Sequence, residues 1–317
     1  MPTVATARPR IVSREEWLTA RRELLEKEKE FFMPHRRFLA LIVMTGVSGL
    51  YGLDARAAEP PRHEVYAVRY GTLPDCPVSA LVQGAERQRK VDVAMTVWVL
   101  KGPDGRTVLV DAGFYRPQFF KEFEGIADYT RPDRAVGRLG IRPEEVTDVI
   151  VTHMHSDHVD GVDLFPKATV WIQKDEFNHY TREVKPPSGK GEPTELDDVS
   201  ALVKLNTEGR VRLVDGDAKE IIPGVTVYTG GKHTFASQYV GVNTKSGRMV
   251  VASDNVYLYE NLDKHVPIAV TLDAKSNLAA QDRMKQLATN PRLIIPGHDP
   301  EVFVRFPKPG NGVARLE

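Results

Sequence analysis

The sequence predicts an α/β domain in which two sheets are covered by outer helices. Three observations carry that expectation. Strand-like and helix-like segments alternate from about Glu64 onward. No repeat and no Pro- or Ser-rich linker divides residues 64–317. His and Asp residues recur where hydrophobic strands end, as in layered folds whose sites sit on loops held by a rigid sheet.

Taken in order, residues 1–32 form an N-terminal extension. Ser13 reads as a helix N-cap with a capping-box glutamate at Glu16, and residues 18–31 continue as a charged helix. Arg36-Arg37 then precede an apolar run over residues 38–53, followed by Ala55-Arg56-Ala57-Ala58. A basic flank, a short apolar stretch and an A-x-A site read as a secretory signal peptide over residues 33–58. The run is short and glycine-interrupted for a membrane span, which needs about 20 apolar residues. On this reading Met33 is the natural start and residues 1–32 stand outside the natural protein. The mature domain, residues 59–317, is then periplasmic or secreted, with no stable membrane span after removal of the signal. A segment left unprocessed would leave it cytoplasmic.

Residues 65–70, 94–100 and 107–110 read as strands, the last two joined by the turn Lys101-Gly102-Pro103-Asp104-Gly105-Arg106. Val110-Asp111-Ala112-Gly113 closes the third strand in a tight turn. Residues 117–123 and 134–139 read as short helices, and 147–151 as a buried strand. Residues 168–173 predict a strand and 175–180 a helix; 185–195, rich in Pro, Gly and Lys, predict a flexible loop. Strands follow near 211–213, 225–228, 238–243 and 248–252. Leu278, Ala279, Met284 and Leu287 place a helix over 272–288, and 292–295 is the last strand. Trp98 and Trp171 lie in strands and read as core. Phe114, Phe119, Phe120 and Phe123 suit a core or the lining of an apolar pocket.

Composition excludes some classes. The 317 residues carry no formal net charge and no basic stripe with interleaved aromatics, which argues against a nucleic-acid partner. Cys76 is the sole cysteine, so neither an internal disulfide nor a cysteine zinc site is available. It reads as a half-buried apolar residue. No Gly-x-Ser-x-Gly elbow is present.

The most informative stretch is Thr152-His153-Met154-His155-Ser156-Asp157-His158-Val159-Asp160-Gly161, directly after a strand. Histidines at i and i+2, an aspartate at i+4 and a histidine at i+5 cannot all point one way from one helix or strand. They suit a loop that wraps a cavity and feeds ligands to two neighbouring metal ions. Imidazole with carboxylate suits zinc or a similar divalent metal. His233 follows the strand near 225–228, Asp254 ends the strand at 249–254, and His298 follows the strand at 292–295. His35 lies in the signal-like segment; His63, His179 and His265 lack such spacing and read as surface or packing residues.

The ordered set His-x-His-x-Asp-His, His, Asp, His resembles the metallo-β-lactamase superfamily over roughly residues 64–306. That resemblance implies an αββα sandwich of two mixed sheets with outer helices, and metals at one sheet edge. Asp254, then Tyr257 three residues on, then Tyr257-Leu258-Tyr259-Glu260-Asn261-Leu262 with Val266-Pro267, and finally Pro296-Gly297-His298-Asp299 resemble the N-acyl homoserine lactonase group. Two departures stand beside the site. Gly231-Lys232-His233 replaces the usual Pro-Gly-His, and Ser156 stands where lactonases often carry a bulky residue.

As the resemblance implies, His153, His155 and His233 hold one ion, and Asp157, His158 and His298 the other, with Asp254 bridging. It also implies ring opening of a small-molecule lactone by hydroxide bridging the two ions. Tyr257 then stabilises the oxyanion, and Asp157 or Asp254 passes a proton to the leaving group. Asp111 is expected to orient metal-binding groups from behind. Alternatives are a metallohydrolase of another lactone, a carboxylic ester or an organophosphate, and, more remotely, a non-catalytic metal-binding protein. The sequence is compatible with a homodimer.

Overall fold

In the computed structural model, which describes residues 60–182 and 196–317, the strands form two mixed sheets. The first takes β1 (Glu64–Pro77), β2 (Lys90–Lys101), β3 (Thr107–Val110), β4 (Asp148–Ile150), β5 (Thr169–Gln173) and β6 (Val211–Val214) in sequence order. The second runs in reverse order from β11 (Ile294–Pro296) through β10 (Gly247–Ser253), β9 (Gln238–Thr244) and β8 (Val225–Thr229) to β7 (Lys219–Ile222). β12 (Val313–Arg315) returns to the first sheet and pairs antiparallel with β1. The helices and signal-like run expected over residues 1–58, and the flexible loop expected at 185–195, lie outside the described residues.

Side-chain alternation builds the layers. Val108 and Val110 of β3 join Trp98, Ile150, Val225, Val227, Val240, Val242 and Val251 in a core between the two sheets. Leu109, Val149, Val151, Val170 and Ile172 face the other way, toward Val136 of α2 (Pro132–Val136), Val159 and Leu202. Behind the second sheet, Tyr228, Tyr239, Val250 and Ile294 pack against Ala280 and Met284 of α7 (Ala274–Leu287). Helix, sheet, sheet, helix is therefore the layering that buries both faces of both sheets, and it matches the expected sandwich. The remaining helices are α1 (Phe119–Glu122), α3 (Ser156–Val159), α4 (Lys174–Arg182), α5 (Leu196–Thr207), α6 (Tyr259–Lys264) and α8 (Val302–Arg305).

Most elements fall where the sequence puts them, and the differences have physical causes. β1 runs on to Pro77 because register shifts between Arg69 and Gly71 and between Leu73 and Cys76 let Tyr70, Pro74 and Asp75 stand outside the one-to-one ladder without ending the strand. Trp98 is fully buried, whereas Trp171 is half-buried and donates its indole N–H to Asp148 Oδ1 at 2.8 Å. Phe114 and Phe119 belong to the core, with Phe120 and Phe123 packed on it, so the core reading of that group holds. Cys76 is half-buried. His63 is buried and bonds Pro223 O, His179 stacks on Phe235, and His265 pairs with Asp282; all three are packing or surface residues. Among the described residues, no helix is long and apolar enough to cross a membrane.

Candidate metal centre

Strand direction explains why distant residues meet. β3 and β4 run parallel. β8, β10 and β11 also share one direction, because β8–β9 and β9–β10 are antiparallel steps and β10–β11 is parallel. Asp111, the Thr152–His158 segment, His233, Asp254 and His298 each follow one of these strand ends. The two sheets are tied together there: Gln238 N donates to Thr152 O at 2.8 Å and Gln238 Nε2 to Val151 O at 2.7 Å. Asp157 and His158 sit on the four-residue helix α3 rather than on open loop, and the His158 ring stands 4.1 Å from that of His153, centroid to centroid.

The seven predicted ligands form two groups: His153, His155, His233 and Asp254; and Asp157, His158 and His298. In the first, His155 Nδ1 lies 3.1 Å from His153 Nε2 and 2.9 Å from His233 Nε2. Nitrogens bound at 2.0–2.1 Å to one tetrahedral ion stand about 3.3 Å apart, so this spacing fits a shared ion. Asp254 faces both groups. Its Oδ2 lies 3.7 Å from His153 Nε2 and 3.4 Å from His233 Nε2. Its Oδ1 lies 3.3 Å from His158 Nε2 and 3.1 Å from His298 Nε2. Asp157 Oδ2 closes the second group at 3.4 Å from His158 Nε2 and 3.6 Å from His298 Nε2. His158 Nε2 and Asp254 Oδ1 are buried and make no hydrogen bond, a costly state for polar atoms that a cation between them would relieve. The residues therefore fit two divalent ions.

A layer of buried donors and acceptors aims these groups. Asp111, at φ 62°, accepts from Thr152 N (2.8 Å), Thr152 Oγ1 (2.9 Å) and Ser253 Oγ (2.9 Å), and pairs with His158 Nδ1 at 2.8 Å. The expected orienting role of Asp111 fits this geometry, since the pairing leaves His158 Nε2 for the centre. His233 Nδ1 lies 2.8 Å from Val270 O, and His298 Nδ1 3.2 Å from Ala94 O. Ser253 and Lys232 share the left-handed backbone region with Asp111, at φ 47° and 58°; strained non-glycine residues cluster at functional sites. Lys232 thus takes, with a side chain, a conformation that favours glycine. Gly297 is required by close approach, because a Cβ there would stand 2.6 Å from Asp254 Oδ1.

Electrostatics divide the two groups. Burial, then the charges of His158 and His233, holds the His153 imidazole well below its usual range. Burial and His233 bring His155 down to about 3. For His158 burial opposes the charge, but Asp157, Asp254 and Asp111 outweigh it and push the imidazole well up. His298 also rises, burial being outweighed by Asp254 and Asp157. Burial would raise Asp254, yet His158 and His298 hold it well below the carboxylate range.

Tyr257 packs among Val78, Val82, Leu258 and Ile268, its ring 5.6 Å from His233 and 5.8 Å from His298. Burial, then Asp254 and Asp157, raises its hydroxyl well above the usual range, so the phenol stays protonated. Tyr259, two residues on, is buried in the core between the two sheets. Thr152, Glu176, Ser253 and Asn255 were invisible as site residues, because the groups they join are remote in sequence: Asn255 Oδ1 accepts from Gly231 N 24 residues away.

A profile of the Metallo-beta-lactamase superfamily matches residues 92–298. An N-acyl homoserine lactonase from Bacillus cereus is 29% identical over 226 residues, 65% of this chain and 82% of that one. The N-acyl homoserine lactonase AiiB from Agrobacterium fabrum is 24% identical over 244 residues, 71% of this chain and 86% of its own. Among solved structures, an N-acyl homoserine lactone hydrolase with N-hexanoyl-L-homoserine at its catalytic metal centre superposes with a TM-score of 0.64. It is 20% identical and covers 78% of this chain and 97% of its own. The dizinc quorum-quenching lactonase AidC superposes with a TM-score of 0.57 at 14% identity, covering 76% of this chain and 89% of its own.

Proposed function

Because the chain belongs to the metallo-beta-lactamase superfamily and is a metal-dependent hydrolase, we propose that it opens lactone rings, with N-acyl homoserine lactones as its substrates. The observation that carries this reading is Asp254, whose two oxygens face two different ligand groups. The lactonases among its relatives support the substrate class.

His153, His155 and His233 with Asp254 Oδ2 would hold one ion, and Asp157, His158 and His298 with Asp254 Oδ1 the other; we propose zinc for both. Such a pair supplies Lewis acidity and brings the pKa of a shared water from about 15.7 toward 7. The protein's own groups do the rest. The Tyr257 phenol, held protonated, donates to the lactone carbonyl oxygen as negative charge builds there. One such donor is worth about 3 kcal/mol of barrier. Asp157, 3.4 Å from His158 Nε2, or Asp254 takes the proton of the attacking water. It returns that proton to the ring oxygen as the acyl carbon–oxygen bond breaks. The product is a carboxylate with a free hydroxyl, and no side-chain nucleophile is consumed. The basic-flanked apolar run over residues 33–58 supports an exported enzyme.

The test is ring opening of short- and long-chain acyl homoserine lactones by the purified protein, followed by HPLC before and after chelation. Opening that chelator abolishes and zinc restores supports the reading. No opening by protein with both ions bound would exclude these substrates and redirect the search to other lactones, esters and phosphotriesters.

A further inference from the structure

Helix α4 presents Glu176, His179 and Tyr180 at i, i+3 and i+4, one face of a helix. All three touch the loop that carries His233. Thr234 Oγ1 donates to Glu176 Oε1 and Ala236 N to Glu176 Oε2, each at 2.6 Å. Phe235 N lies 3.4 Å from Tyr180 OH, and the Phe235 ring stacks on His179 with centroids 4.0 Å apart. Glu176 also reaches the other ligand loop: Met154 N donates to its Oε1 at 3.0 Å. Met154 lies between His153 and His155, and Thr234 follows His233. Glu176 is fully buried. A carboxylate is expensive to bury unless its lone pairs are filled, and hydrogen bonds to an ionised acceptor are roughly twice as strong as neutral ones.

We infer that Glu176 is a positioning residue for the three-imidazole group. It fixes the separation between the loop of His153 and His155 and the loop of His233. His155 Nδ1 then stands 3.1 Å from His153 Nε2 and 2.9 Å from His233 Nε2 in the protein itself. The Asp157–His158–His298 group has its own buried carboxylate in Asp111, so Glu176 acts on one half of the centre. The inference rests on the metal-binding role proposed above for the three imidazoles.

The test compares the parent chain with Glu176→Gln and Phe177→Leu. Glutamine turns one acceptor oxygen into an NH2 group, so at least one of the donors loses its partner. Phe177 is buried on the same helix among apolar neighbours and serves as a packing control. Each metal-free protein is titrated with cobalt(II) by absorption and with zinc by calorimetry, and its thermal melting is recorded. In Glu176→Gln one of the two ions should bind about 10–100-fold more weakly while the other is unchanged, and excess zinc should restore kcat. Phe177→Leu should melt earlier with both affinities intact. Glu176→Gln with both parental affinities, beside a parent that binds two ions, overturns the inference alone. Equal weakening of both ions in the two variants also overturns it, by reducing Glu176 to a packing role. A parent that takes up no ion at the three imidazoles overturns the dinuclear reading and this inference together.

Discussion

The two halves of the centre use the same side-chain chemistry and hold it in opposite electrostatic states. The His153–His155–His233 half brings together imidazoles, two of them held well below their usual range, His155 to about 3. The Asp157–His158–His298 half adds a carboxylate of its own and sets Asp111 behind His158, and both its histidines are raised. Without metal, protons therefore collect in the second half. An ion entering there competes with protons, whereas an ion entering the first half meets His153 and His155 nitrogens that are already bare. Among the described residues, Asp254 is the side chain whose oxygens face both halves.

That contrast can be broken at its joint. Asp254→Ala should release both ions and reduce activity beyond the roughly 100-fold that loss of an outer-shell partner brings, as read by metal analysis and lactone hydrolysis on one sample. Retention of one tightly held ion would mean that the halves are independent. Tyr257 belongs to neither half, so Tyr257→Phe should keep both ions and slow turnover about 10²–10³-fold. Unaltered turnover would remove the hydroxyl from the mechanism. Asp111→Asn acts on the second half directly, through His158, and reaches His153 of the first half only by way of Thr152 Oγ1. The second half's ion should bind about 10–100-fold more weakly, and the first half should keep its ion by calorimetry.

The pH dependence sharpens the comparison further. A raised histidine pKa keeps the proton on the metal-free protein until the pH exceeds that value. Zinc binding at the second half should therefore release protons, and its affinity should fall as the pH drops below the raised values of His158 and His298. In the first half His153 is held well below its usual range and His155 is brought to about 3, so its affinity should fall less as the pH drops. Calorimetry in buffers of different ionisation enthalpy separates the two; equal proton release from both halves would contradict the assignment. The smallest effect is local to the first half. In Lys232→Gly, relief of the left-handed backbone is worth about 1 kcal/mol. The lost contact of Lys232 Nζ with the Phe235 ring, 5.0 Å from its centroid, works against it by about 0.5–1 kcal/mol. Thermal melting should thus move little, and a large loss would show that the lysine itself holds the loop.

The ligands were legible because they sit in a dense motif or at the ends of long apolar strands, where periodicity is strong. The layer behind them was not. Glu176 reads as one acid on an amphipathic helix, and its partners Met154 and Thr234 lie 22 and 58 residues away. Ser253 joins Asp111 across 142 residues. Short or polar elements were missed for a related reason. β7 is four residues with only Ile222 buried, β12 is a three-residue edge, and α5 directly follows the Pro- and Gly-rich stretch. The motif read as a loop because four residues are too few to show the helical turn that carries Asp157 and His158.

The most direct test of a two-ion lactonase is stepwise reconstitution. Metal-free protein is loaded with increasing zinc, bound ions are counted per chain, and the initial rate of acyl homoserine lactone opening is measured at each point. Activity that rises only as the second ion binds is the predicted result. Full activity with a single ion bound would contradict it, and Asp254 would then be a ligand rather than a bridge.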